Sequence, residues 1–365
     1  MTILNSASVV VYAGKKQRNY KMKSTLLAFA AAATANELVD ISAVVNTADA
    51  GWHAEKPTQF NTFNEVQNVC GTINDNRTLL SSKEAKAPMN NFPVDFDSRT
   101  HWSNCTIIGK VGSQAGCGSC WAWSATEVAE SFMCVKGLLD TGIELSKLDT
   151  ASCCSGAACG YSQSCTSGTP SAAMMWIERT GVVSGGAFNS SIGCEPYSLA
   201  PCSVDPTDPT DPLPACHEPK PPPTLTCSST CSNPGFKTPY ASDKRGANNG
   251  WYPNGLSYRD DNNSHAMAYM IENGPISATF SVMEDFPTYR HGIYQHVSGK
   301  FLGGHAILIV GYGTENGTDY WTVKNSWSEY WGEGGFFRIR RGVDEVGIES
   351  HMTGWNKQID ENLQL

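Results

Sequence analysis

Gln114-Ala115-Gly116-Cys117-Gly118-Ser119-Cys120-Trp121-Ala122-Trp123 is the stretch on which the reading of this chain turns. It runs into a helical pattern. Trp121, Ala125, Val128, Phe132 and Val135 recur at alternating steps of four and three and share one helical face. Gly137 is the stop signal. Cys120 therefore stands at the start of a helix, where unpaired backbone N–H groups and the helix dipole favour negative charge. A thiol placed there has a lowered pKa, and its thiolate is a nucleophile. Two cysteines at this spacing equally make a disulfide or a metal pair, so the spacing alone does not choose.

The 365 residues suffice for one large domain, or two small ones, plus processing segments. A net charge of −9 gives no sign of nucleic-acid binding. Fourteen cysteines are too many for a reducing cytosol and imply a secreted or vesicular protein. A matching address is present. Met22-Lys23 precede an apolar run from Leu26 to Ala33, and Ala33-Thr34-Ala35 is an A-x-A cleavage site, so residues 22–35 read as a signal peptide. Residues 1–21, with Lys15, Lys16 and Arg18, read as an upstream extension, and Met22 is the alternative start. No apolar run is long enough to span a bilayer. Sequons at Asn76, Asn104, Asn189, Asn262 and Asn316 fit the secretory route.

Residues 36–92 are polar and rich in Asn and Thr, either a disordered tail or a pro-segment. Phe92-Pro93-Val94-Asp95-Phe96-Asp97-Ser98-Arg99 marks the start of the mature domain, 93–365. Its first part carries the helix from Cys120, a second helical stretch from Ser171 to Thr180, and most of the cysteines. The cluster Cys153, Cys154, Cys159 and Cys165 competes as a zinc site. No histidine lies nearby, and an oxidising compartment favours disulfides. Pro201 to Pro223 is too proline-rich for helix or central strand, and the flanking Cys202 and Cys216 make it a stapled surface loop. From about residue 250 the pattern changes. A short helix, His265 to Ile271, ends at Asn273-Gly274-Pro275. Strand-like runs follow at Ile276–Val282, Ala306–Val310, Tyr320–Val323 and Phe336–Ile339, separated by glycines in an antiparallel pattern. A helix-rich first half and a sheet-rich second half make an α+β protein with a cleft between the halves.

A cysteine nucleophile needs a base, and the base needs an orienting group. Among eight histidines His305 stands out, because Gly303-Gly304-His305 opens an apolar strand and the glycines let the backbone approach a partner closely. Asn325 follows twenty residues later, in Lys324-Asn325-Ser326-Trp327 at the end of the next strand. Adjacent strands can place the two side chains together.

The run from Gln114 to Trp123, followed in order by His305 and Asn325, resembles the papain-like cysteine peptidases. The rival, a thioredoxin-type redox motif, expects a small, cysteine-poor domain. Gly292-Ile293-Tyr294-Gln295-His296-Val297, Gly303 to Ala306, Glu315-Asn316-Gly317-Thr318 and Gly347-Ile348-Glu349-Ser350 are similar to the cathepsin B type in particular. The resemblance covers most of residues 93–355. It implies a two-lobed fold with a helical left lobe, an antiparallel β-barrel-like right lobe and the active-site cleft between them. It implies a Cys120 thiolate paired with a His305 imidazolium, Asn325 fixing the ring and Trp327 covering that bond. The Gln114 side chain and the Cys120 N–H would hold the oxyanion. No metal and no cofactor is implied. Trp52-His53-Ala54 and Phe60 through Cys70-Gly71-Thr72 resemble a short propeptide lying across the active site, which makes residues 36–92 the chain's own inhibitor and Cys70 the odd cysteine. Setting aside Cys70 and Cys120 leaves twelve cysteines, whose pairing sequence alone does not fix. The resemblance implies Cys105–Cys134, Cys117–Cys165, Cys153–Cys227, Cys154–Cys159, Cys194–Cys231 and Cys202–Cys216.

Departures from the family pattern carry expectations too. The family places Asn-Gly-Gly after the cysteine matching Cys165, as a bare wall for substrate backbone; here Thr166-Ser167-Gly168 stands there, with Gly168 retained. Gly168 and Gly304 are the expected backbone contacts. His351 replaces the acidic residue that accepts arginine in the pocket for the second residue before the scissile bond. Within loop 202–216 Asp205, Asp208 and Asp211 occur but no histidine, and the nearest is His217. The expected function is a monomeric endopeptidase made as a zymogen, with weak or absent dipeptidyl carboxypeptidase activity, in an acidic lysosome-like compartment or outside the cell. Its expected partners are protein or peptide substrates, its own propeptide and cystatin-like inhibitors. The alternatives are a non-catalytic binding homologue, and a peptidase that keeps the carboxypeptidase activity.

Overall fold

The structure, a computed structural model, describes residues 37–73, 92–203, 207–215, 223–246, 251–256 and 263–357. The expected signal peptide, Asp205, Cys216, His217, Asn76 and Asn262 lie outside the described residues. The N-terminal segment forms α1 (Glu37–Ala48), β1 (Trp52–Ala54) and α2 (Phe63–Val69). Next come β2 (Phe96–Asp97), α3 (Ser98–His101), α4 (Cys120–Val135), β3 (Glu144–Leu145), α5 (Lys147–Cys153), α6 (Pro170–Thr180) and β4 (Ser184–Gly185). The remainder is β5 (Trp251–Leu256), α7 (Ser264–Asn273), β6 (Ile276–Met283), β7 (Tyr289–Tyr294), β8 (Phe301–Glu315), β9 (Thr318–Lys324), β10 (Phe336–Arg340) and β11 (Met352–Lys357).

The period of α4 predicts one buried face. In the structure every residue from Cys120 to Cys134 is buried. The helix lies between two hydrophobic cores: one holds Val128, Phe132 and the apolar side of α6, the other the sheet residues Phe280, Ile307 and Phe337. Ser124 Oγ lies 2.6 Å from Ser277 Oγ of β6 and donates to the Ile307 carbonyl of β8 at 2.8 Å. Two acids on the same helix take cations from opposite sides. Glu130 pairs with Lys147 of α5 at 2.8 Å, and Glu127 pairs with Lys324, the last residue of β9, at 3.1 Å. Burial pushes Lys147 down, but Glu130 and Glu144 outweigh it and the ammonium is held above its ordinary value.

Among the described residues, five disulfides bind the α-helical half: Cys105–Cys134, Cys117–Cys165, Cys153–Cys227, Cys154–Cys159 and Cys194–Cys231. Cys202 is also disulfide-bonded. Among the described residues Cys70 and Cys120 are free.

The main sheet runs β1-β7-β10-β9-β8-β6-β11-β5, with β2 added on β8. One pair departs from the antiparallel expectation: β7 and β10 run parallel, Arg338 beside Ile293. The strands β8, β9 and β10 pair antiparallel in succession, so β10 runs with β8. Residues 295–300 then join β7 to β8 in the same direction while two strands lie between them, which no hairpin could do. Strand β8 is also longer than its apolar run, because pairing with β6 continues through Gly303 and Gly304.

Residues 37–73 are not a disordered tail. Leu38, Val45, Trp52, Val66 and Val69 are buried in the sheet-side core. β1 extends the sheet edge, Trp52 opposite Gly292, and the Trp52 indole donates to the Gln295 carbonyl at 2.9 Å. Thr62 and Glu65 form a capping box at the start of α2.

On α5, the buried Asp149 accepts from Tyr240 OH at 2.8 Å and Lys244 Nζ at 2.7 Å. Glu195 is buried too, and its Oε2 has no hydrogen-bond partner. Burial, then the charge of Asp149, raises its carboxyl from 4.5 to about 7. A raised carboxyl contributes stability below its unfolded value and loses it as pH rises through the folded one. Glu195→Gln should therefore stabilise the protein by roughly 1–2 kcal/mol at pH 8 and by nothing measurable at pH 4. Urea denaturation at the two pH values checks this; an equal effect at both contradicts the assignment.

Candidate active site

Cys120 is the first residue of α4, with Ser119 at the N-cap. The loop before it is pinned by the Cys117–Cys165 disulfide and by the Gly118 N–H, which donates to the Cys165 carbonyl at 2.9 Å. His305 enters from β8 and is fully buried. Its Nε2 lies 2.8 Å from Asn325 Oδ1, just past the end of β9. A carboxamide oxygen only accepts, so Nε2 carries the proton. The same oxygen accepts from the Ser326 N–H at 2.8 Å, which fixes the carboxamide. The Trp327 ring covers the imidazole, with centroids 4.8 Å apart. His305 Nδ1 has no nitrogen or oxygen partner and is left for the Cys120 sulfur. Burial pushes the Cys120 thiol up, but the charge of His305 and hydrogen bonds from His305, Thr72 and the Ala306 N–H together hold it below its ordinary value.

Gln114 is also fully buried. The Ser326 hydroxyl donates to its Oε1 at 2.6 Å, which turns the amide nitrogen toward the cleft. That nitrogen donates to the Cys117 carbonyl at 2.6 Å and to the Val69 carbonyl at 2.9 Å. Val69 belongs to the N-terminal segment, which fills the cleft as a strap. The Gly168 N–H donates to the Gly71 carbonyl at 2.8 Å, the Ile73 N–H to the Gly168 carbonyl at 2.9 Å, and the Thr72 N–H to the Gly304 carbonyl at 3.1 Å. Thr72 Oγ1 lies 3.1 Å from the Cys120 sulfur. Both wall residues must be glycine. A Cβ on Gly168 would stand 2.2 Å from the Trp121 ring, and one on Gly304 would stand 2.5 Å from the Thr72 carbonyl oxygen.

The structure thus brings Cys120, His305, Asn325, Gln114, Trp327, Gly168 and Gly304 to one cleft. His351 lies farther off. It is half-buried, and its carbonyl accepts from the Thr279 N–H of β6 at 3.3 Å, on the strand beside His305. Ser326, Thr72 and the Val69 carbonyl escaped the sequence reading. Ser326 stands in the quoted Asn-Ser-Trp run and could have been found there, whereas a backbone carbonyl leaves no signature.

This arrangement joins a thiol of lowered pKa, a base with an oriented ring and a fixed amide donor, the set needed for nucleophilic attack on an acyl carbon. Comparison with known proteins agrees. Residues 92–355 match the papain family cysteine protease profile. The chain is 41% identical over 282 residues to a gut-specific cysteine proteinase of Caenorhabditis elegans, covering 77% of this chain and 78% of that one. It is 36% identical to cathepsin B-like cysteine proteinase 4 of the same organism, over 91% of this chain and 98% of that one. Among solved structures, procathepsin B S9 from Trypanosoma congolense superposes with a TM-score of 0.70 at 27% identity, over 89% of this chain and all of that one. The chain belongs to the papain family of cysteine proteases, as a cathepsin B-like cysteine peptidase made in zymogen form.

Proposed function

We propose that Cys120, His305, Asn325 and Gln114 carry the peptidase reaction, and that residues 36–92 are the propeptide that blocks it. The geometry that supports this reading is the His305–Asn325 bond beside a Cys120 thiol whose cleft is filled by the strap. Once the strap is removed, the Cys120 thiolate attacks the peptide carbonyl. The oxyanion accepts from Gln114 Nε2 and the Cys120 N–H. His305 gives its Nδ1 proton to the leaving amine, and then takes a proton from the water that hydrolyses the thioester. Gly168 and Gly304 pair with substrate backbone, as they pair with the strap. Cystatin-like inhibitors would enter the same cleft, and the enzyme acts as a monomer. The exposed sequons Asn104, Asn189 and Asn316 support passage through the secretory route to an acidic compartment or to the outside. No helix of the described residues is long and apolar enough to cross a membrane.

Cys120→Ala should abolish hydrolysis of a quenched peptide by at least about 10⁴-fold while leaving the disulfides formed. Retained activity would end this mechanism. A wild-type chain without activity after removal of residues 36–92 would instead favour a binding homologue.

His351 belongs to the substrate pocket next to β6 in this reading. A histidine there supplies no carboxylate to pair with an arginine. A peptide-library profile should show apolar or aromatic residues at the second position before the cleaved bond. Arginine dominant there would refute the assignment.

The loop after Cys202 decides between internal and terminal cleavage. Hydrogen bonds from the Thr210 hydroxyl and N–H hold Asp208 below the usual carboxylate range. Asp211 is buried and accepts from Thr58 and Gln59 of the strap. In this reading loss of the strap uncovers Asp211, with Asp208 on the same loop, and like charge repels a substrate C-terminus. An internally quenched peptide and its C-terminally amidated twin should then be cleaved at similar rates. Fast dipeptide release that needs the free carboxylate and vanishes in His217→Ala would establish the carboxypeptidase instead.

A further inference from the structure

Behind the proposed oxyanion site lies a phenol that the reaction as written does not use. Tyr197 is buried, with its ring edge-on to Trp123 at 5.0 Å between centroids. Its hydroxyl donates to the backbone carbonyl of Gln114 at 3.1 Å. It also shares a 2.9 Å hydrogen bond with Ser119 Oγ. Since the phenol proton goes to Gln114, the Ser119 proton goes to the phenol oxygen. Gln114 carries one oxyanion donor, and Ser119 immediately precedes the Cys120 N–H that is the other.

Ser119 is the N-cap of α4, where a serine oxygen ordinarily accepts from an N–H in the first turn of the helix. It makes no such bond here. Its hydroxyl is held by Tyr197 and stays clear of the helix start; the Ala122 N–H donates to the Ser119 carbonyl at 2.9 Å, and the Cys120 N–H ahead of it is left for an anion. Tyr197 is itself fixed. Its N–H donates to the Gly186 carbonyl at 2.9 Å, and Cys194, three residues earlier, is bridged to Cys231. Gln114 is thereby gripped from both lobes, by Tyr197 on one side and by Ser326 on the other, through the Gln114 N–H to the Ser326 carbonyl at 2.9 Å and the Ser326 hydroxyl to Oε1 at 2.6 Å. Burial pushes the Tyr197 phenol up to about 12, so it stays a neutral donor wherever the enzyme works.

We infer that Tyr197 is a positioning residue of the peptidase reaction, holding the Gln114 and Cys120 donors at the separation the oxyanion needs. The inference rests on the reading of Gln114 and the Cys120 N–H as that site. The test uses the full chain, matured by removal of the propeptide, as wild type, Gln114→Ala, Tyr197→Phe and the double variant. Gln114→Ala should lower kcat and the affinity for a peptide aldehyde by about 10²-fold. If it lowers neither, the oxyanion reading fails and the inference with it. Tyr197→Phe should lower kcat and aldehyde affinity together by roughly tenfold, smaller than loss of the donor itself. KM should stay within about twofold, and alkylation of Cys120 by iodoacetamide should keep its rate. The double variant should fall short of the product of the two single effects. With Gln114→Ala impaired, an unchanged aldehyde affinity in Tyr197→Phe, an equal loss of alkylation, or full additivity overturns the role given to Tyr197 alone. Should Tyr197→Phe not fold, Ser119→Ala breaks the other arm and must show the same paired loss, or the inference falls.

Discussion

A carboxylate inside a protein needs a cation beside it, and α4 carries two such groups on a helix buried on every side. Glu130 is answered from the helical half by Lys147, and Glu127 from the sheet by Lys324. Such pairs add little net stability over apolar packing, yet breaking one strands a buried charge. Alignment is therefore their main contribution. Lys324 is the residue before Asn325, and α4 begins with Cys120. The Glu127–Lys324 pair at 3.1 Å references both ends of the proposed catalytic row to one rigid element. Ser124, tied to β6 and β8, does the same one helical turn nearer the sulfur.

With that alignment set, the electrostatics of the thiol follow from its surroundings. Burial opposes the thiolate, and the charge and hydrogen bond of His305, with two further donors from Thr72 and Ala306, overcome it. In the zymogen the site is assembled and then occupied, not distorted. The strap pairs with the backbone of Gly168 and Gly304, the partners proposed for substrate, and its Val69 carbonyl accepts from the Gln114 amide. Maturation has only to remove a competitor.

Much of this was legible in the sequence because the chemistry restricts residue types. Cys120, His305, Asn325 and Gln114 each stand in a run punctuated by glycine or tryptophan, and the α+β division follows from the change of period near residue 250. What stayed hidden depends on partners remote in sequence. The sequence around Glu127 and Glu130 gives no sign of their burial, since nothing local announces Lys324 or Lys147. The parallel β7–β10 pair is a matter of strand order, which periodicity does not carry. Tyr197 sits in a cysteine- and serine-rich loop with no motif around it, and only the fold brings its hydroxyl to Gln114 and Ser119.

The pairing of β1 with β7 has a consequence for the mature molecule. β7 has β10 on one side and β1 on the other, so loss of the propeptide turns a paired strand into a sheet border with open backbone donors and acceptors. Borders of this kind recruit other strands unless something discourages them. Here the strand is six residues long, carries Arg290, and is interrupted by Gly292 at a φ of 104°. Processing thus exchanges a safe, silent protein for an active one that must guard its own edge against self-association.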